Sequence, residues 1–205
     1  MDADPLVQFR SAADIGVDAT CRAATDAGRG RERPGLLVSN GLLDCGTGGE
    51  PQVFLRPGDW LFGGGEGSVR TLLGSCVSLV LWSRRHGAGG LCHSLLPQRR
   101  QRGVDELPDG RYLDEAIDWL EAEAHRRGIP WADLRASVFG GAGRRTGGIG
   151  ASNLAWICAW LERQRIPVDQ MDVGGHVMRR LSMDLRTGVV SVAHGGAWNL
   201  MEQRQ

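Results

Sequence analysis

The chain has 205 residues, with 24 basic side chains balanced by 24 acidic ones, and every basic residue is arginine. That length suffices for one domain with a real core plus an extension, and zero net charge excludes a global field drawing the molecule to nucleic acid or to a membrane. No apolar run reaches the ~20 residues that span a bilayer. The acidic start MDADPLVQFR lacks a secretory core, and five scattered cysteines form neither a disulfide framework nor a Cys-x-x-Cys zinc pair, so a cytoplasmic protein is expected.

Residues 1–50 read as a mostly disordered N-terminal extension. RAATDAGRGRERPG and DCGTGGEP are small, charged and glycine-rich. Within it, GLLVSNGLL at 35–43 is either a short docking strand or incidental. The globular domain is predicted over 51–205. QVFLRPGDWLF gives a short strand, a Pro-Gly turn and more extended chain, and GGGEGS is a flexible loop. Val77–Trp82 is short, apolar and β-rich, Gly90–Leu96 reads as a second strand, and the short Ser83–Gly89 loop makes them an antiparallel hairpin.

Leu113, Ala116, Ile117, Leu120 and Ala124 recur at helical spacing. Arg126 and Arg127 suit the last turn of that helix, and Gly128 suits its C′ position. Leu134–Phe139 is the next strand and runs into the glycine loop Gly140–Gly150. Ser152 is placed to cap a second helix, with Leu154, Ile157, Cys158 and Leu161 on its apolar face. Val168–Val173 is a strand. Arg180–Leu185 and Val189–Val192 form a terminal hairpin across Thr187-Gly188. The sum is a mixed α+β domain: a layered sandwich with a largely antiparallel sheet and two main helices.

Cys76 and His93 are the residues with chemistry to offer. Cys76 is either a buried small hydrophobe or a nucleophile exposed at a strand entrance, where the Gly74-Ser75 turn aims backbone N–H groups at an oxyanion. His93 is either a core histidine or its base. The hairpin brings the two near each other, but pairing register is open from sequence alone. If they meet, the imidazole takes the thiol proton or lowers its pKa. Thr71 is the candidate to orient the ring, with Ser75 behind it. Cys92 adjoins His93 and so points to the opposite face, which also defeats a Cys76/Cys92/His93 metal site. Cys158 is expected in the core. The Gly140–Gly150 loop lacks GxxxxGK[ST], which weighs against a nucleotide site. His176 is an exposed loop histidine or a site residue. The basic run PQRRQR at 97–102 is a solvated loop, or it attracts an acidic partner.

LGSCV at Leu73–Val77 and GG-x-x-H-x-x-LP at Gly89–Pro97 come in order with FGGAG at Phe139–Gly143, IGASN at Ile149–Asn153 and DVGG at Asp172–Gly175. Together they resemble the CheD family of chemoreceptor glutamine deamidases. The resemblance spans roughly Pro51 to Val192 and leaves the first fifty residues unmatched. It implies a hydrolase that converts glutamine side chains of methyl-accepting chemotaxis receptors to glutamate. Ammonia is released through a cysteine thioester, and no metal or cofactor is required. Cys76 is then the nucleophile, His93 the general base and Thr71 the third member, with the Gly74 and Ser75 turn at the oxyanion.

Where the family often has a Gly-Arg pair after its double glycine, this chain reads HVMRR, leaving Arg179 or Arg180 in that place. Arg99, Arg100 and Arg102 are expected to favour docking onto acidic receptor helices. Some relatives also bind a CheC-type chemotaxis phosphatase. Two alternatives stand beside this reading: a cysteine acyl enzyme with another protein substrate, and a non-catalytic binding module of the chemotaxis array.

Overall fold

Along Val77–Ser83 every side chain is buried, which one solvated sheet face cannot provide. Val77, Leu79 and Leu81 join one apolar cluster, while Val80 and Trp82 join another. The strand is therefore covered on both faces, by helices on one side and by a second sheet on the other.

The computed structural model describes residues 51–103, 106–143 and 147–195, with the backbone of 37–38 and 42–44. The strands are β1 (Leu37–Val38), β2 (Leu42–Asp44), β3 (Gln52–Phe54), β4 (Trp60–Gly63), β5 (Ser68–Leu73), β6 (Val77–Ser83), β7 (Ala88–Cys92), β8 (Arg135–Gly140), β9 (Val168–Val173), β10 (Arg179–Asp184) and β11 (Val190–His194). The helices are α1 (Leu113–Arg126) and α2 (Ile149–Gln164), with one 3-10 turn at Trp131–Asp133.

Six strands form one sheet in the order β1-β4-β7-β6-β8-β9, and five form the other in the order β11-β10-β5-β3-β2. Pairing is antiparallel except for β8 with β9 and β3 with β5. The expected layered α+β class holds, and its strands divide between two mixed sheets. Leu79 and Leu81 pack with Leu113, Ile117 and Leu120 of α1 and Ile157 and Leu161 of α2. Between the sheets lie Val80, Trp82, Leu91 and Phe139 with Val69, Leu73, Leu181 and Met183.

The expected stripe of α1 is its buried face. Its end is a Schellman motif: Gly128 at φ +66° donates its N–H to His125 O, and Ile129 donates to Ala124 O, both at 2.9 Å. The β6/β7 hairpin and the β10/β11 hairpin form as expected.

Two expectations change and one strand is new. Ser68–Leu73, of which only Ser68 falls in the expected GGGEGS loop and the rest in no expected element, is strand β5, and its alternation buries Val69, Thr71 and Leu73. Helix α2 begins at Ile149 rather than after Ser152. Gly148 at φ +91° takes the cap position, and Ser152 Oγ donates to Gly148 O from within the first turn. Cys158 is exposed, because the buried face of α2 runs through Asn153, Ile157, Trp160 and Leu161, and Cys158 falls off that stripe. Of the 1–50 extension, β1 pairs with β4 and β2 with β3. The rest of that reading, with Cys21 and Cys45, lies outside the described residues.

Candidate active site

The chain crosses from one sheet to the other through Gly74-Ser75-Cys76, between β5 and β6. The three carbonyls of this bend are all held. Ala142 N–H donates to Gly74 O (2.8 Å), Asn153 Nδ2 donates to Ser75 O (3.2 Å) and Gly141 N–H donates to Cys76 O (2.7 Å). In a planar trans peptide the N–H points opposite to the C=O. Tethering the carbonyls of Gly74 and Ser75 therefore turns the N–H groups of Ser75 and Cys76 away from these anchors. Neither N–H donates to another backbone carbonyl among the described residues. The half-buried Cys76 side chain sits at the margin of the inter-sheet cluster.

The Gly140–Gly150 loop, whose glycines invited a phosphate reading, supplies two of these anchors. Gly140 (φ +100°) has no room for a side chain, since a Cβ there would stand 2.2 Å from Cys76 O. This loop is tied in turn to the double glycine after β9, through Gly174 N–H to Gly140 O and Gly143 N–H to Gly175 O, both 2.8 Å. Residues 144–146 lie outside the described residues.

The hairpin register is Val80 opposite Leu91, and it continues unchanged to an isolated bridge pairing Val77 with Ser94. Ser78 thus stands across from His93, and Cys76 across from Leu95. His93 is the diagonal neighbour of Cys76 on the same face, at a spacing of about 7–8 Å between Cα atoms, within reach of longer side chains. That face looks between the sheets, as Val80 and Leu91 do. Cys92 takes the other face and is buried under the helices, as expected.

Thr71 reaches the same layer from the opposite sheet. Its hydroxyl donates to Leu55 O at 2.9 Å and lies 2.7 Å from His93 Nδ1. With its only hydrogen committed to Leu55, the hydroxyl must accept from His93, so Nδ1 carries the proton and Nε2 presents its lone pair. Nε2 has no hydrogen-bond partner among the described residues, and neither has the buried Ser78 hydroxyl across from it.

Burial pushes the His93 imidazole down to about 4, against the opposing pull of the Leu55 carbonyl. Burial likewise raises the Cys76 thiol, partly offset by its own backbone N–H. The resting pair at neutral pH is therefore a neutral thiol and a neutral imidazole. It is suited to proton transfer during attack rather than to a standing thiolate–imidazolium pair.

The expected arginine cluster divides. Arg99 is 15% exposed; its Nη2 donates to Glu115 Oε2 (3.3 Å), it pairs with Glu106, and it stacks over the Tyr112 ring. It is spent inside the fold, because the buried Glu115 carboxylate needs a cation. Arg100 and Arg102 are exposed. Arg179 is buried and donates through Nε to Asp172 Oδ1 at 2.8 Å, tying β10 to β9, whereas Arg180 and His176 face solvent.

The residue the sequence reading passed over is Asn153. It is fully buried, and its Nδ2 donates both to Ser75 O and to Leu95 O (2.9 Å). The signal was a lone polar side chain in line with Ile157, Trp160 and Leu161 on the inward face of α2.

This is a two-sheet α+β protein with a cysteine–histidine constellation where the chain changes sheets. The chain belongs to the CheD family. The pattern of the family described as CheD chemotactic sensory transduction matches residues 95–194. Similar proteins include the probable chemoreceptor glutamine deamidase CheD 1 of Chromobacterium violaceum, 35% identical over 67% of this chain and 75% of its own length. CheD 3 of Dechloromonas aromatica, named likewise, is 36% identical over 69% of this chain and 86% of its own. The similarly named CheD of Trichlorobacter lovleyi is 36% identical over 72% and 93%. No helix among the described residues is long and apolar enough to cross a membrane.

Proposed function

We propose that this protein is a protein-glutamine deamidase acting in the cytoplasm on chemoreceptors, the substrate in its relatives' names. The observation that carries the chemistry is the Thr71–His93 contact, which leaves an Nε2 lone pair, without a partner among the described residues, on the face that Cys76 shares. Nε2 accepts the thiol proton as Sγ attacks the carboxamide carbon of a receptor glutamine. The N–H groups of Ser75 and Cys76 meet the developing oxyanion. The C–N bond then breaks, the imidazolium gives its proton to the departing amide nitrogen, and ammonia leaves a thioester. His93 next takes a proton from water, whose oxygen displaces Sγ to give glutamate, and the thiolate regains the proton. Consumption of one water and release of one ammonia per glutamine balance the reaction.

Incubation with a receptor cytoplasmic fragment tests this, with ammonia and the glutamine-to-glutamate mass change measured together. Both are expected, and both vanish in Cys76→Ala. Chain cleavage instead of ammonia release would identify a peptidase. Unchanged deamidation by Cys76→Ala would remove the cysteine from the mechanism.

A further inference from the structure

We infer that Asn153 is a positioning residue that holds the nucleophile and the base in one frame, an inference that rests on the Cys76–His93 reading above. The two catalytic groups sit on separate stretches of chain. Cys76 lies in the bend between β5 and β6, and His93 lies just beyond β7. Asn153, from α2, touches both. One hydrogen of its amide goes to Ser75 O at 3.2 Å and the other to Leu95 O at 2.9 Å.

Both acceptors are carbonyl oxygens, so only the NH2 end of the side chain fits there, and the amide orientation is set by chemistry. Ser75 O belongs to the same peptide plane as the Cys76 N–H, so Asn153 sets the direction of that donor. The other two anchors of the bend are backbone N–H groups that any sequence supplies. The price of this arrangement is visible in Asn153 Oδ1, which is buried with no partner among the described residues. An unpaired buried acceptor weakens the fold. Its retention inside an apolar helix face fits a side chain kept for where it places others.

The test reads thiol reactivity, which needs no receptor. Iodoacetamide alkylation of Cys76 is followed by peptide mass at neutral pH in the full chain, with His93→Ala, Asn153→Leu and the double variant in parallel. His93→Ala is expected to slow alkylation, and Asn153→Leu to slow it about 10-fold, since small misplacements of reacting groups have effects of that order. In the double variant the loss is expected to be smaller than the product of the two single losses, because the part of the Asn153 effect that runs through the base is gone with His93. Asn153→Asp keeps the size and loses both donors, so it carries the same cycle if the leucine variant does not fold. Wild-type alkylation in a folded Asn153 variant overturns the inference, and so do losses that multiply. Alkylation indifferent to His93 overturns it together with the catalytic pair itself, whereas absent ammonia release from receptor bears on the substrate reading alone.

Discussion

Thr71, on β5 of one sheet, and His93, one residue beyond β7 of the other, meet in the layer between the sheets, with Oγ1 2.7 Å from Nδ1. The contact fixes the imidazole tautomer, because the threonine hydrogen is already given to Leu55 O. A residue on β5 thereby decides which ring nitrogen carries the proton and which keeps its lone pair.

Thr71→Val keeps the shape and removes the acceptor, leaving the buried Nδ1–H without a partner. The ring then loses its preferred tautomer. Turnover is expected to fall at least roughly 10-fold, a fraction of the about 10²–10⁴ that a placed general base supplies. KM should barely move, because Thr71 is buried away from substrate. Thr71→Ser retains the hydroxyl and should recover most of the loss. Steady-state ammonia release on the three proteins decides this.

The depressed pKa of His93 makes stability depend on pH with a definite sign. Unfolded, the imidazole titrates near 6.5; folded, it holds out to about 4. Between those values the unfolded chain binds more protons, so stability falls as pH drops through that window. The full loss from this one group is roughly 3 kcal/mol. Denaturant melts from pH 7 to 4 should show that decline, and His93→Gln should remove this part of it. Above pH 7 the group contributes no slope.

What was legible in the sequence was local. The α1 stripe, the β6/β7 hairpin and the opposite facing of Cys92 and His93 follow from periods of 3.6 and 2. Periodicity tells which residues share a face, but not which other face lies over it. Thr71 was therefore a candidate from its position and from the resemblance, not from a visible contact, and β5 itself was hidden, since its short alternation follows GGGEGS directly. Asn153 and the Gly140–Gly143 loop were legible as motifs but not as anchors of the Cys76 bend. Their partners lie 58 to 78 residues away for Asn153, and no local pattern encodes a contact at that separation.

The arginines after the His93 segment should separate by role. Arg99→Ala leaves the buried Glu115 without its cation and is expected to destabilise the fold by about 2 kcal/mol. Reversing Arg100 and Arg102 touches only solvent-facing charge and should leave the melting midpoint nearly unchanged. If they steer the protein to an acidic receptor surface, that double reversal weakens receptor binding and flattens its salt dependence. Melts and binding at two ionic strengths distinguish Arg99 from the Arg100–Arg102 pair; binding unchanged by the reversal assigns docking elsewhere.

Of the glycines around the cysteine, Gly140 should matter more than Gly74. Gly74 has open space where a Cβ would go and no positive φ, so Gly74→Ala is expected to fold normally despite its place in the bend. Gly140 sits at φ +100°, where an L side chain costs roughly 1–3 kcal/mol in the backbone alone. Its Cβ would also stand 2.2 Å from Cys76 O, the oxygen that Gly141 N–H holds. Relief requires the cysteine carbonyl to move, and the peptide plane beyond it moves too. Gly140→Ala should therefore lower both the melting midpoint and turnover. The turnover loss should persist at temperatures where the variant is still fully folded. Equal activity per folded molecule would show that the bend tolerates the shift and that its anchoring is not needed for catalysis.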